Sequence, residues 1–506
     1  MIRANIHATL GAFLFLSPIP FATYGASTGK PVMPPPAVHL IEDHSQLVPL
    51  CVRNGLRNVT ILHIDARDDL WPPPTDDQVR AAKTLLESGK LDELDTSGRY
   101  YTPWKDRLYD ISNHLILAHR LGILRNVYWA IPTFGSMDNA SLSDLKKLLY
   151  GTRKFDPSEV DRLRIDPPNI KGTLSGVPVT IGSLKDFPPP ESAWVLGIDL
   201  GFFPALYKNP VASSYSGLLA AFAEWLRKRP PPAPSLAVIA WSNNGDHLPI
   251  SLRFLGRWLR ELLEHPALLE APPPKTWALK EEALHLEYFE QYDEAKSTYL
   301  AILRERPDDP DAHYSLGMLL LGEGDIDAAI GSLSRAYRFD RAYIAGFVKA
   351  ANLLERSGRP NDSLKVLNAA ASLSPGHVLL LDALGTHFHI RGDYTAAIRY
   401  YRKVIDLGRP SPLTHAYLGD SHLLSGNPVD AETEYIAAIR LHREHPGTEL
   451  SPRYWLSLGE VRETLKKPAE ARATYLELLG RPSLDVETER IVKDRLERIP
   501  LLPTSP

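Results

Sequence analysis

Residues Asn58–Leu70 read Asn-Val-Thr-Ile-Leu-His-Ile-Asp-Ala-Arg-Asp-Asp-Leu. Val59–Ile64 is apolar and rich in β-branched residues, which predicts a buried strand. The run passes directly into ionisable side chains. Alternation along a strand puts His63, Asp65 and Arg67 on one face. A carboxylate at the end of a buried strand is costly unless it is paired or holds a metal. The plainer alternative is a strand that ends in a solvated loop, with Asp65 and Arg67 as an ordinary ion pair.

Working outward, other β-branched runs are expected as strands at Ala37–Ile41, Asn126–Ile131, Pro178–Ile181, Ala193–Ile198 and Leu236–Ala240. They alternate with amphipathic segments at Asp76–Ser88, Ile111–Leu121, Ser141–Leu149, Tyr215–Lys228 and Leu252–Glu264. That alternation predicts an α/β domain over residues 37–266 with a mainly parallel sheet. Sites in such sheets form at the C-terminal ends of strands. Three such ends carry polar residues. Glu42, Asp43 and His44 follow the first strand, Asp65–Asp69 the second, and Asp199 closes the apolar run Trp194–Ile198. Asp199 can equally serve as a helix cap, and Glu42 and Asp43 as solvated loop acids. Ser112-Asn113-His114 opens a helix that also carries His119. The loop Trp241–His247 offers Ser242, Asp246 and His247 to the same cleft, or is simply a turn rich in Asn and Gly.

Together, Glu42-Asp43-His44, His63–Leu70, Ser112-Asn113-His114 with Tyr128-Trp129 and Pro132, and Ile198–Phe203 resemble the arginase/deacetylase-like superfamily, and more narrowly the peptide arginase family. The resemblance spans about Val38 to Pro249. It implies a three-layer α/β fold and a two-manganese site. There a bridging hydroxide attacks the guanidinium carbon of an arginine side chain, giving ornithine and urea. This sequence departs from the pattern twice: Arg67 stands where the second motif has His, and Gly201 where the third has its second Asp. The resemblance implies that His44, Asp65, Asp69 and Asp199 hold one metal, and that the second metal has lost its ligands. Arg67 offers only donors and cannot ligate a cation. It could place a fixed positive charge near Asp65 or Asp199. His63 could be a substitute ligand or a tautomer-fixed core histidine. His114 and Glu42 are the candidate catalytic groups. An oxygen-rich set of one His and three carboxylates suits manganese, magnesium or iron, with manganese the first choice. The expectation is therefore one divalent metal.

From about Thr276 a second pattern begins. Small residues recur at Ala283, Gly317, Ala351, Gly385, Gly419 and Gly459, spaced 34 residues apart except for the last step. A second small series runs Ala295, Ala329, Ser363, Ala397, Ala431 and Ala471. Large partners recur at Tyr299, Leu333, Leu367, Tyr401, Tyr435 and Tyr475. The period and the pattern resemble tetratricopeptide repeats. Six are expected over residues 276–482, after a Pro-rich linker at 267–275 and before a capping helix at 483–499. The sixth follows a loop lengthened around His445–Glu449. Such a solenoid implies a peptide or protein ligand on its concave face.

A net charge of −4 over 506 residues offers no basic field for nucleic acid. Residues 1–27 are expected to be a secretory signal, with Arg3, the apolar Leu10–Leu16 and small residues near Gly25, followed by a Pro-rich spacer at 28–36. The expected location is the periplasm or outside the cell, with no stable membrane span after cleavage. Cys51 is the one cysteine, so no internal disulfide can form, and its apolar surroundings predict a small core residue. The sequence at Asn58 would accept a glycan only in a eukaryotic host. Two readings follow: an exported metal-dependent hydrolase of the peptide-arginase type served by its repeats, or a non-catalytic repeat scaffold carrying a degenerate arginase-like domain.

Overall fold

A computed structural model describes residues 37–99, 102–133, 135–152, 154–188, 192–229, 232–241, 248–444, 450–481 and 484–499. The expected signal and spacer, the cleft candidates Ser242, Asp246 and His247, and the loop at His445–Glu449 lie outside these residues. The chain forms two compact units. One comprises Met1–Leu70 and His114–Glu290, the other Trp71–Asn113 and Gln291–Pro506. This division differs from a single break at 267–275. The segment Trp71–Asn113 belongs with the repeats, and the helix Lys275–Tyr288, expected to open them, belongs with the first unit.

The first unit is built on eight strands: β1 (Val38–Ile41), β2 (Val59–Ile64), β3 (Leu124–Ala130), β4 (Arg164–Asp166), β5 (Asn169–Leu174), β6 (Val177–Gly182), β7 (Trp194–Asp199) and β8 (Leu236–Ala240). Their order is β1-β8-β7-β2-β3-β6-β5-β4. The six strands from β1 to β6 in that order pair in parallel, while β5 and β4 add on antiparallel. The sheet is therefore mixed. The antiparallel edge was not evident in sequence, because β4 is fully exposed and β5 carries Lys171 and Gly172 in place of an apolar run. Ser175 and Gly176, both at positive φ, make the tight turn between β5 and β6.

Strand β2 sits near the middle, between β7 and β3, with His63 level with Gly197 and Trp129. Its two faces differ. Leu62 and Ile64 join Leu196, Ile198, Ala237 and Ile239 against Leu219, Phe222, Phe254 and Trp258 of the helices Tyr215–Arg227 and Phe254–Glu264. Each such side chain contributes about 1.5–3 kcal/mol when fully buried. The opposite face carries Ile61 and Gly197, where an added Cβ would lie 3.3 Å from Leu47 in the helix Leu47–Arg53. By alternation His63 and Asp199 point to this second face. That helix holds Cys51 in the core, and burial raises its thiol to about 12.

The second unit is a stack of helical hairpins: Pro310–Glu323 with Ile326–Phe339, Ile344–Arg356 with Pro360–Leu373, Val378–Ile390 with Tyr394–Asp406, Pro412–Leu424 with Pro428–Glu444, and Arg453–Thr464 with Pro468–Leu479. The helix Tyr292–Glu305 precedes them. The recurring small and large residues meet within hairpins. A Cβ on Gly385 would lie 2.6 Å from the Tyr401 ring, and one on Gly419 2.8 Å from that of Tyr435. The glycines thus let paired helices approach closely enough to bury the tyrosines. A last helix, Val486–Arg498, packs Val492 against the final hairpin's core. The segment Trp71–Asn113 forms two helices, Asp76–Glu87 and Leu91–Gly98. Its Thr102 carbonyl accepts a hydrogen bond from buried Arg409 at 2.8 Å.

Candidate metal centre

Four chain segments deliver side chains to one buried point. Asp43 caps a short turn by accepting the Ser45 N–H at 3.1 Å, and the turn swings His44 inward behind β1. β2 supplies His63 and, just past its end, Asp65. The loop after it reaches Asp69, whose φ of +50° turns the backbone back toward the sheet. The helix His114–Arg120 begins at His114, and β7 ends at Asp199. All six side chains are at least nine-tenths buried.

The distances are short for groups of these charges. His44 Nδ1 lies 3.3 Å from Asp69 Oδ2 and 3.6 Å from both Asp65 Oδ2 and Asp199 Oδ2. His63 Nε2 lies 3.6 Å from the Oδ2 atoms of Asp65 and Asp69. His114 Nδ1 is 3.8 Å from Asp69 Oδ2. The three imidazoles pack with centroids 5.4–6.1 Å apart.

Electrostatics follow from burial. Burial disfavours the His44 cation, yet its hydrogen bond to Asp69 and the charges of Asp199 and Asp69 outweigh this and raise its pKa. Burial, then the charges of His44 and His114, holds His63 well below the usual histidine value. Burial, then the charges of Asp199 and Asp69, lifts Asp65 well above the carboxylate range, and burial lifts Asp69 as well. The Arg67 charge pulls both downward. Three carboxyls with so little compensation fit a cation. So does His63, a buried imidazole whose Nε2 faces two of these carboxylates at 3.6 Å.

The structure brings His44, Asp65, Asp69 and Asp199 together and adds His63 and His114. It gives the other candidates different roles. Glu42 forms a two-pronged ion pair with Arg253, at 2.6 and 3.1 Å, and so does not face the cluster as a catalytic acid. Arg253 is itself buried, 3.6 Å over the Trp241 ring. Asp43 is a turn cap rather than a cleft residue. Arg67 donates its backbone N–H to Asp65 Oδ1 at 2.9 Å, and Gly201 donates its own to Asp199 Oδ1 at 2.6 Å. Asp68 turns away to Lys154 at 2.8 Å. His119 Nδ1 meets the Leu124 carbonyl. The Lys154 partnership joins residues 86 positions apart and had no local signal in sequence.

Comparison with known proteins bears on the second unit. A tetratricopeptide repeat family model matches residues 280–344, 348–412 and 418–485. The TPR repeat-containing protein YpiA of Bacillus subtilis is 26% identical over 122 residues, which are 24% of this chain and 29% of YpiA. The chain thus spans less than a third of that relative's length. Among solved structures, PilF of Pseudomonas aeruginosa is 18% identical, with a TM-score of 0.30, over 43% of this chain and 97% of its own. The type IV pilus biogenesis factor PilW is 15% identical, with a TM-score of 0.31, over 44% and 100%. The family-model match identifies the helical hairpins that follow the mixed sheet as tetratricopeptide repeats, and the C-terminal part of this chain is an all-helical repeat solenoid.

Proposed function

We propose that this chain is a scaffold for protein partners, in which the repeats hold a polypeptide and the first unit holds one divalent cation. The observation that carries the scaffold reading is the ladder of side chains linking successive first helices of the hairpins. His387 Nδ1 meets Glu355 Oε1 at 2.5 Å, Thr414 donates to Asp382 at 3.0 Å, His389 meets Ser421 at 2.9 Å and Arg453 donates to Asp420 at 3.0 Å. These bonds tie the first helices of successive hairpins side by side, and a stack of this kind offers an extended surface suited to a polypeptide. A photo-crosslinking residue at Asn352 or Thr386, on these first helices, should capture a recurrent protein partner. The same residue at Gly331 or Arg402, on second helices, should not. Equal capture at both sets of positions, or none at either, sinks the reading.

A second reading has one observation in its favour, the buried cluster of three His and three Asp. On it, and on the family resemblance, the first unit hydrolyses the guanidino C–N bond of peptidyl arginine, releasing urea and leaving ornithine. A divalent ion held by the cluster would act as a Lewis acid toward bound water, making it a nucleophile for the guanidino carbon. His114 would hold or pass a proton beside Asp69. Metal-dependent urea release from arginine-containing peptides, lost in Asp69→Asn, is the expected result. Absence of urea with every metal supplied removes this reading and leaves the scaffold.

A further inference from the structure

Resting on the proposed cation centre, we infer that the ion is held by His44, His63, Asp65 and Asp69, with His63 rather than Asp199 as the fourth ligand. One ligand atom from each of these four residues lies within 4.8 Å of all the others, and all four residues are buried. Asp199 does not belong to that mutually close set. It meets His44 Nδ1 at 3.6 Å through Oδ2, while its Oδ1 is occupied by the Gly201 N–H.

The spacing fits one shared ion. Two donors about 2.1 Å from a metal are separated by about 3.0 Å at a right angle and about 3.4 Å at the tetrahedral angle. The His44–Asp69 separation of 3.3 Å falls within that range, and the 3.6 Å separations of His44 from Asp65 and of His63 from Asp65 and Asp69 lie just beyond it. His63 Nε2 is buried and faces the Oδ2 atoms of Asp65 and Asp69, at 3.6 Å from each. Its placement follows from β2 alternation, which puts His63 on the same face as Asp65, level with Gly197 of β7. Asp199 then stays outside the ligand set, with its Oδ1 held by the Gly201 N–H and its charge beside the His44 ring.

Two imidazoles and two carboxylates change the expected metal. Such a set is neutral overall with a divalent ion and favours four-coordinate zinc, cobalt(II) or iron(II) over magnesium or manganese, which prefer more oxygen donors. The test uses the full chain, purified without a His tag, stripped with chelator, then offered zinc and manganese together. About one equivalent of zinc in preference to manganese is expected. X-ray absorption on the zinc-loaded protein should show two imidazoles. Asp199→Asn should still take up zinc, whereas His63→Ala should lose affinity by more than the about 10–100-fold typical of losing an outer partner. One imidazole, with zinc uptake lost in Asp199→Asn, overturns this ligand set while leaving a cation centre in place. No uptake of any divalent metal by the parent overturns the centre itself. The absorption measurement needs no variant, so misfolding of His63→Ala does not blunt the test.

Discussion

At the residue scale, one sequence position shows how burial redirects an ordinary side chain. Asp382 lies on a first helix of the repeats, with the Thr414 hydroxyl at 3.0 Å as its hydrogen-bond donor. Burial raises its carboxyl from 3.8 to about 6, with that hydrogen bond pulling the other way. A raised carboxyl favours folding while it stays protonated. Its contribution is full below pH 3.8 and is lost as pH climbs through 6. Asp382→Asn keeps the acceptor for Thr414 and removes the charge. It is expected to stabilise the repeats at pH 7.5 by about 1–2 kcal/mol, after discounting about 3 kcal/mol for partial solvent screening. The gain should vanish near pH 4. Thermal melts at the two pH values check it, and equal shifts at both would contradict the burial account. At the same scale the buried His–Asp cluster was partly legible: His44, Asp65, Asp69 and Asp199 stood out as polar residues at or just past the ends of apolar strands. His63 could be read either way, because its meaning depends on what faces it.

At the element scale, the turn inside each hairpin is a repeated device. A residue one or two past the end of the preceding helix has positive φ at Glu290, Gly324, Gly358, Gly392, Gly426 and Lys466. Four of these are glycine, which enters that region without a Cβ penalty. Glu290, after the helix Lys275–Tyr288, and Lys466, in the last hairpin, carry the strain, at φ of 60° and 57°. Both are exposed. Lys466→Gly should therefore stabilise the last hairpin by about 0.5–1 kcal/mol, since the strain removed exceeds the extra unfolded-state freedom of glycine. Chemical denaturation followed through the adjacent Trp455 would register it, and a loss of stability would refute the strain argument. Elements of this regular kind were visible in sequence because a fixed period repeats one packing solution. The β4–β5 edge was not visible, since exposed edge strands need no apolar alternation.

At the scale of the whole molecule, neither unit is a continuous stretch of chain. Trp71–Asn113 leaves the first unit between Asp69 and His114 and folds with the repeats, where Arg409 donates to the Thr102 carbonyl. A fragment of residues 291–506 therefore lacks part of its own unit. It should melt below the repeats of the full chain. Arg409→Ala should cost about 1.5–3 kcal/mol in the full chain, the range for a buried charge-assisted hydrogen bond, and clearly less in the fragment. Calorimetry of the four proteins checks this, and equal costs in both backgrounds would show that Thr102 contributes nothing.

The sequence by itself determined the solenoid, because a 34-residue period carries its packing in every copy. It also determined the central strands, since buried parallel strands must be continuously apolar, and the acidic and His residues at their ends. Tertiary structure alone decided which of those residues share a site. Residues 44, 63, 69 and 114 come together through sheet register, a capped turn and one left-handed Asp, none of which is local to the others. The same distance rule sent Glu42 to Arg253, 211 residues away, because a buried guanidinium takes the nearest carboxylate in space, whatever its place in the chain.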